Sequence, residues 1–101
     1  MKKVTLTCAH AIVKYLIAQK ILIDGKKEPL FPGVFGIFGH GNVACLGQAL
    51  EENQKDLPTY RGHHEQNMAL TGIGYARAKR RQQIFVATSS VGPGATNMVT
   101  A

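Results

Sequence analysis

Apolar side chains recur along the 101-residue chain with two alternating rhythms. Ala9, Ile12, Val13, Leu16 and Ile17 return every three to four residues, which predicts a helix over residues 8–20 with Thr7 as its cap. Residues 21–33, ILIDGKKEPLFPG, break that rhythm with prolines and glycines and read as a long connection, holding at most a short turn or strand. VFGIF at 34–38 is dense in branched and aromatic side chains and predicts a buried strand. Asn42 offers a cap for a second helix reaching Glu52, and LPTY at 57–60 is a weaker strand that Pro58 would begin. A third helix is predicted over 64–80 and another strand, IFVATS, over 84–89. The strand runs into a glycine-proline turn and the opening of a further helix. Strands alternating with helices predict an α/β fold, a parallel sheet within three α/β/α layers.

Composition narrows the class. A chain of this length holds at most one small domain. The net charge of +6 invites a nucleic-acid reading, but only Arg77, Lys79, Arg80 and Arg81 cluster. They end the third predicted helix, where basic groups complement its carbonyl end, and no base-stacking aromatics interleave with them. A nucleic-acid partner is therefore set aside. No apolar run approaches the roughly 18 residues of a membrane span, and Met-Lys-Lys is not followed by the pattern of a signal peptide. Cys8 and Cys45 show neither metal-type spacing nor a disulfide framework, so a reducing cytoplasm is expected and no membrane partner. The last predicted helix has only begun at Ala101, with no glycine cap, so the expectation is the front part of a larger protein.

Three stretches carry candidate chemistry. His63, His64 and Glu65 invite a metal site, but a helical zinc motif needs its second histidine four residues after the first, and these histidines are adjacent. No metal site is expected. Gly39-His40-Gly41-Asn42-Val43-Ala44 fits the G-x-G-x-x-A turn of dinucleotide sites, with Glu65 about the right distance onward. Yet Glu65 falls in the next helix rather than at a strand end, and His40 crowds the place of the phosphate. On the third helix Glu65 heads a face with Met68, Ala69, Gly72, Ile73 and Ala76. It is either a first-turn acid favoured by the helix dipole or a buried carboxyl group able to share a proton with a ligand. Gly72 and Gly74 weaken a helix interior and are expected where something approaches closely. SSVGPGATN, at 89–97, is a strand-to-helix turn whose backbone N–H groups suit a ligand, or a turn and nothing more.

HHEQNMALTGIGYARAK together with TSSVGPGATN resembles the thiamine diphosphate-dependent enzyme superfamily, in the N-terminal domain that holds the cofactor's aminopyrimidine ring. The resemblance covers residues 1–101 as the first half of that domain. FGIFGHGNVACLGQALEE and the insertion DGKKEPLFPG before it are most similar to a branch that hydrolyses a cyclic dione in myo-inositol breakdown. Acetohydroxyacid synthases usually have Pro-Gly-Gly where this chain has Gly39-His40-Gly41, and they lack the extra Ser-Val of SSVGPG.

The resemblance implies roles. Glu65 would hydrogen-bond the pyrimidine nitrogen opposite the amino group and so promote proton transfer on the cofactor, a form of general acid–base catalysis. His40 would face the reactive ring and donate a proton to substrate, or else be a solvent-facing loop residue. Ser90, Pro93 and Asn97 match positions that contact the cofactor or order its pocket. His63, His64 and both cysteines are left as structural. The family holds the diphosphate and Mg2+ in a C-terminal domain through a Gly-Asp-Gly motif, which this chain does not contain. Family active sites form between subunits, so a homo-oligomer is expected, with neither cofactor nor activity in this chain alone. An acetohydroxyacid synthase-like carboligase is the competing enzyme. A stand-alone nucleotide-binding module is the competitor from another class.

Overall fold

The computed structural model describes residues 3–101. Helix α1, Cys8–Ala18, starts where expected, because the Thr7 hydroxyl accepts a hydrogen bond from the His10 N–H at 3.2 Å. Val13 is fully buried, with Ala9, Leu16 and Ile17 packed around the same cluster. Ile12 departs from the predicted stripe, being 47% exposed beside an open cleft.

The supposed long connection is a β-hairpin. Strands β1, Lys20–Ile23, and β2, Lys26–Pro29, pair antiparallel with Ile23 opposite Lys26. Asp24 and Gly25 both take left-handed backbone, at φ 51° and 79°, the form a two-residue hairpin turn requires and Asp-Gly favours. Carbonyls hold the hairpin to the body: Pro29 accepts from Gln83 Nε2 at 2.9 Å, and Leu30 accepts from the Ile84 N–H at 3.0 Å.

The main sheet is parallel and three-stranded, in the order β4-β3-β5. Strand β3, Val34–Gly36, lies between β4, Thr59–Arg61, and β5, Val86–Thr88, with Val34 opposite both Thr59 and Val86. These strands are shorter than the apolar runs containing them. Alternation along β3 makes the layers. Val34 joins Val13, Ala49, Leu50 and Leu57 in the core on one face. Phe35 stacks on Phe85 on the other face, at 4.4 Å between ring centres, and Tyr75 meets Phe85 edge-on at 4.7 Å. The sheet thus carries α1 with the 40–52 helical segment on one side and α4, Glu65–Ala78, on the other. That is the expected α/β arrangement.

The helical segment after β3 differs from expectation. It opens at His40 with Gly39 as the cap, and Asn42 lies inside with helical backbone and caps nothing. It runs as α2, His40–Asn42, a π-helical turn, Val43–Gly47, and α3, Gln48–Glu52. Helix α4 closes through left-handed Arg80 and Arg81, whose N–H groups donate to Arg77 and Ala76 carbonyls at 3.0 and 2.7 Å. Only Arg77 is left in the last turn, so Arg80 and Arg81 form the helix stop instead of lying within the helix. Helix α5, Pro93–Thr100, starts with proline at its first position, which needs no N–H partner.

Candidate active site

Glu65 is the only buried charged residue among those described, with 7% of its surface exposed. It is the first residue of α4, where its side chain meets the turn between β5 and α5. Ser90 grips one carboxylate oxygen, Oε2, donating its hydroxyl at 2.5 Å and its backbone N–H at 3.4 Å. No other residue donates a hydrogen bond to Oε1 among those described, and that atom is not sealed in as an unsatisfied buried group. The Ser90 hydroxyl, then Glu65's own N–H and that of Ser90, hold the carboxyl below its ordinary range. Burial pushes the other way, and the neighbouring His64 adds a small pull downward.

Close approach occurs at Gly94. A β-carbon there would sit 2.1 Å from Glu65 Oε2 and 2.3 Å from Ser90 Oγ, so the first turn of α5 can lie against the carboxylate only as glycine. Within the described chain nothing approaches Gly72 or Gly74 closely: a β-carbon at Gly74 meets nothing within 4 Å, and one at Gly72 only Phe85 Cβ at 4.0 Å. On the predicted inward face of α4, Met68 is buried, but Ile73 is 41% exposed.

The other predicted residues gather unevenly. His40 is exposed at the start of α2 and lines a cleft of about 350 Å³ with Phe38, Gly39, Val43, Ser90 and Val91. Ser90 therefore touches both the carboxylate and the His40 cleft. Pro93 and Asn97 are exposed on α5, and no hydrogen bond joins either to Glu65. His63 and His64 are exposed, and His64 caps α4 without a side-chain hydrogen bond.

A second polar cluster had no local signal in the sequence. His10 Nε2 lies 2.6 Å from Glu52 Oε2, and His10 Nδ1 lies 2.8 Å from Thr7 Oγ1, which ties the start of α1 to the end of α3. Cys8 and Cys45, both free and exposed, line the adjacent cleft of about 490 Å³.

In this parallel α/β domain a glycine-proline turn clasps a buried helix-start carboxylate. The chain belongs to the thiamine pyrophosphate enzyme family: residues 7–101 match its N-terminal TPP binding domain. Among curated proteins it is 54% identical over 100 residues to the 3D-(3,5/4)-trihydroxycyclohexane-1,2-dione hydrolase of Geobacillus thermodenitrificans, a match covering 99% of this chain and 16% of that protein. The proteins of the same name from Clostridium tetani and Bacillus thuringiensis are each 50% identical, over 100% and 99% of this chain and 16% of their own length. The chain thus spans about 16% of the length of the curated relatives it matches. No solved structure gives a significant match. Family membership removes the reading of Gly39 to Ala44 as a stand-alone nucleotide-binding module. No helix among the described residues is long and apolar enough to cross a membrane.

Proposed function

We propose that this chain is the pyrimidine-binding part of a thiamine diphosphate-dependent hydrolase that opens trihydroxycyclohexane-1,2-dione to a deoxy-glucuronic acid. The observation that carries the reading is the half-claimed carboxylate: Glu65 is buried, Ser90 holds Oε2, and no other described residue donates a hydrogen bond to Oε1. Its similarity to hydrolases of that name supports the substrate class.

The donor set fits the cofactor's ring. An unpartnered carboxyl oxygen suits a ring nitrogen, accepting from it or donating to it according to where the proton lies. When bound, thiamine diphosphate supplies an electron-accepting thiazolium ring for breaking a carbon–carbon bond. The residues of this chain do the rest. Glu65 holds the exchangeable proton at Oε1, in a site from which water is largely kept away. Ser90, Pro93 and Asn97 order the pocket around it. His40, at the mouth of the neighbouring cleft, donates a proton to a substrate oxygen. Diphosphate and Mg2+ are held by sequence outside this chain. The enzyme acts in the cytoplasm as a homo-oligomer, for which the exposed Leu70, Ile73 and Val99 of α4 and α5 offer apolar surface.

Replacing Glu65 by Gln in the complete enzyme tests the reading, because an amide cannot supply that proton. Turnover of the dione is expected to fall by a factor of about 100 or more, with cofactor affinity changed far less. A variant that keeps a large part of the wild-type rate sinks the assignment. Carboligation of two oxo-acids in place of ring hydrolysis by the wild type would turn the reading to an acetohydroxyacid synthase-like enzyme.

A further inference from the structure

Among the described residues, none forms an ion pair with the buried Glu65. His64 beside it is the only ionisable neighbour that acts on it, and β3, β5 and α5, which pack around it, carry no ionisable side chain at all. A buried carboxylate of this kind normally needs a cation or several donors. Here the donors are neutral: Ser90 spends both its hydroxyl and its N–H on a single oxygen, and Glu65's own N–H adds to them. Gly94 makes the contact sterically possible, since its missing β-carbon would occupy the place of Oε2.

Two consequences follow from donors that are neutral and one-sided. The carboxyl group can gain a proton without leaving an unpaired buried cation behind, as it would beside lysine or arginine. Because a serine hydroxyl and an amide both donate to Oε2, that oxygen is the poorer place for an added proton. The proton is thereby directed to Oε1.

Resting on the function proposed above, we infer that Ser90 is a positioning residue that differentiates the two oxygens of Glu65, reserving Oε1 for the ligand, and that Gly94 is the glycine this arrangement requires. Ser90 acts on the reaction through Glu65 and not by gripping the cofactor.

The test uses the complete enzyme with three variants. Ser90→Ala is expected to lower kcat about ten-fold, the scale of one hydrogen bond to a charged group, with KM changed less than about two-fold. The alkaline limb of its kcat profile, along which the Glu65 proton is lost, should move to higher pH. Ser90→Thr keeps the hydroxyl and should restore the wild-type limb. A second readout needs no cofactor. The Glu65 carboxyl carbon, assigned by its loss in Glu65→Gln, is titrated by 13C NMR. Its midpoint should rise in Ser90→Ala and return in Ser90→Thr. Gly94→Ala, which forces turn and carboxylate apart, should raise it as well. An unchanged midpoint in Ser90→Ala, with Glu65→Gln inactive, overturns the positioning role and leaves the proposed function standing. A fully active Glu65→Gln overturns both.

Discussion

Glu65 and Glu52 are held in opposite ways. Glu65 opens α4, is 7% exposed, and takes its hydrogen bonds from the neutral Ser90. Glu52 ends α3, is 52% exposed, and takes its closest one from His10 at 2.6 Å. Both carboxyls lie below their ordinary range. The cause at Glu65 is first the Ser90 hydroxyl, and at Glu52 first the His10 ring and then Gln48. Equal direction hides unequal use. Water and an ionisable partner share the load at Glu52, so the contact is a tie between α1 and α3 of the modest worth usual for exposed pairs. At Glu65 the side chain is buried, and its donors are the hydroxyl and N–H of Ser90, in a turn within the matched family domain, and its own N–H. On the function proposed above, burial with neutral donors is what distinguishes a carboxyl prepared for proton exchange from one that only fastens two helices.

The contrast breaks first on activity. Glu65→Gln is expected to cost a factor of about 100 or more in turnover. Glu52→Gln should stay within about two-fold, because it removes only a surface tie. Dione turnover by the two purified variants, compared at saturating cofactor, measures this. Comparable losses in both would remove the distinction.

A smaller effect belongs to acid stability, where the two carboxyls should behave alike. Both are depressed in the folded state, so the unfolded chain binds more protons in the acid range. Their contribution is complete above the ordinary carboxylate pKa of about 4 and is lost as pH falls through the folded values. Thermal midpoints should therefore drop on acidification, and each Gln variant should flatten part of that slope.

The smallest effect is at the cap feeding the Glu52 cluster. Thr7→Ala should cost about 1 kcal/mol of stability, read by denaturant unfolding, without altering the pH dependence of the rate.

Much of this was legible in the chain. The helical rhythms of α1 and α4 were visible because each buries one face against a larger core. The meeting of Glu65 with Ser90 was legible as a candidate site where HHEQ and SSVGPGATN each carried a chemical pattern. What failed did so for local reasons. Asp24-Gly25 is a strong hairpin signal, but prolines and glycines downstream disguised the flanking strands as a connection. Asn42 is a good cap by type, yet the chain turns helical at His40, and a π-helical turn has no rhythm of its own. Gly72 and Gly74 drew attention because glycine weakens a helix interior, yet nothing within the described chain lies close to them. Gly94 is the glycine that meets Glu65 in space, in a turn 25 or more residues away as judged by the Ser90 contact. The His10–Glu52 pair spans 42 positions, beyond the reach of any local pattern.

The central claim is that Glu65 exchanges a proton with the cofactor. Calorimetric titration of the complete enzyme with thiamine diphosphate, in buffers of differing ionisation enthalpy, counts the protons taken up on binding. Between pH 6 and 8, roughly, where a depressed carboxyl is ionised in the free protein, wild type should take up more protons than Glu65→Gln, by up to about one per site. Equal proton counts in the two proteins, both binding the cofactor, would contradict the claim.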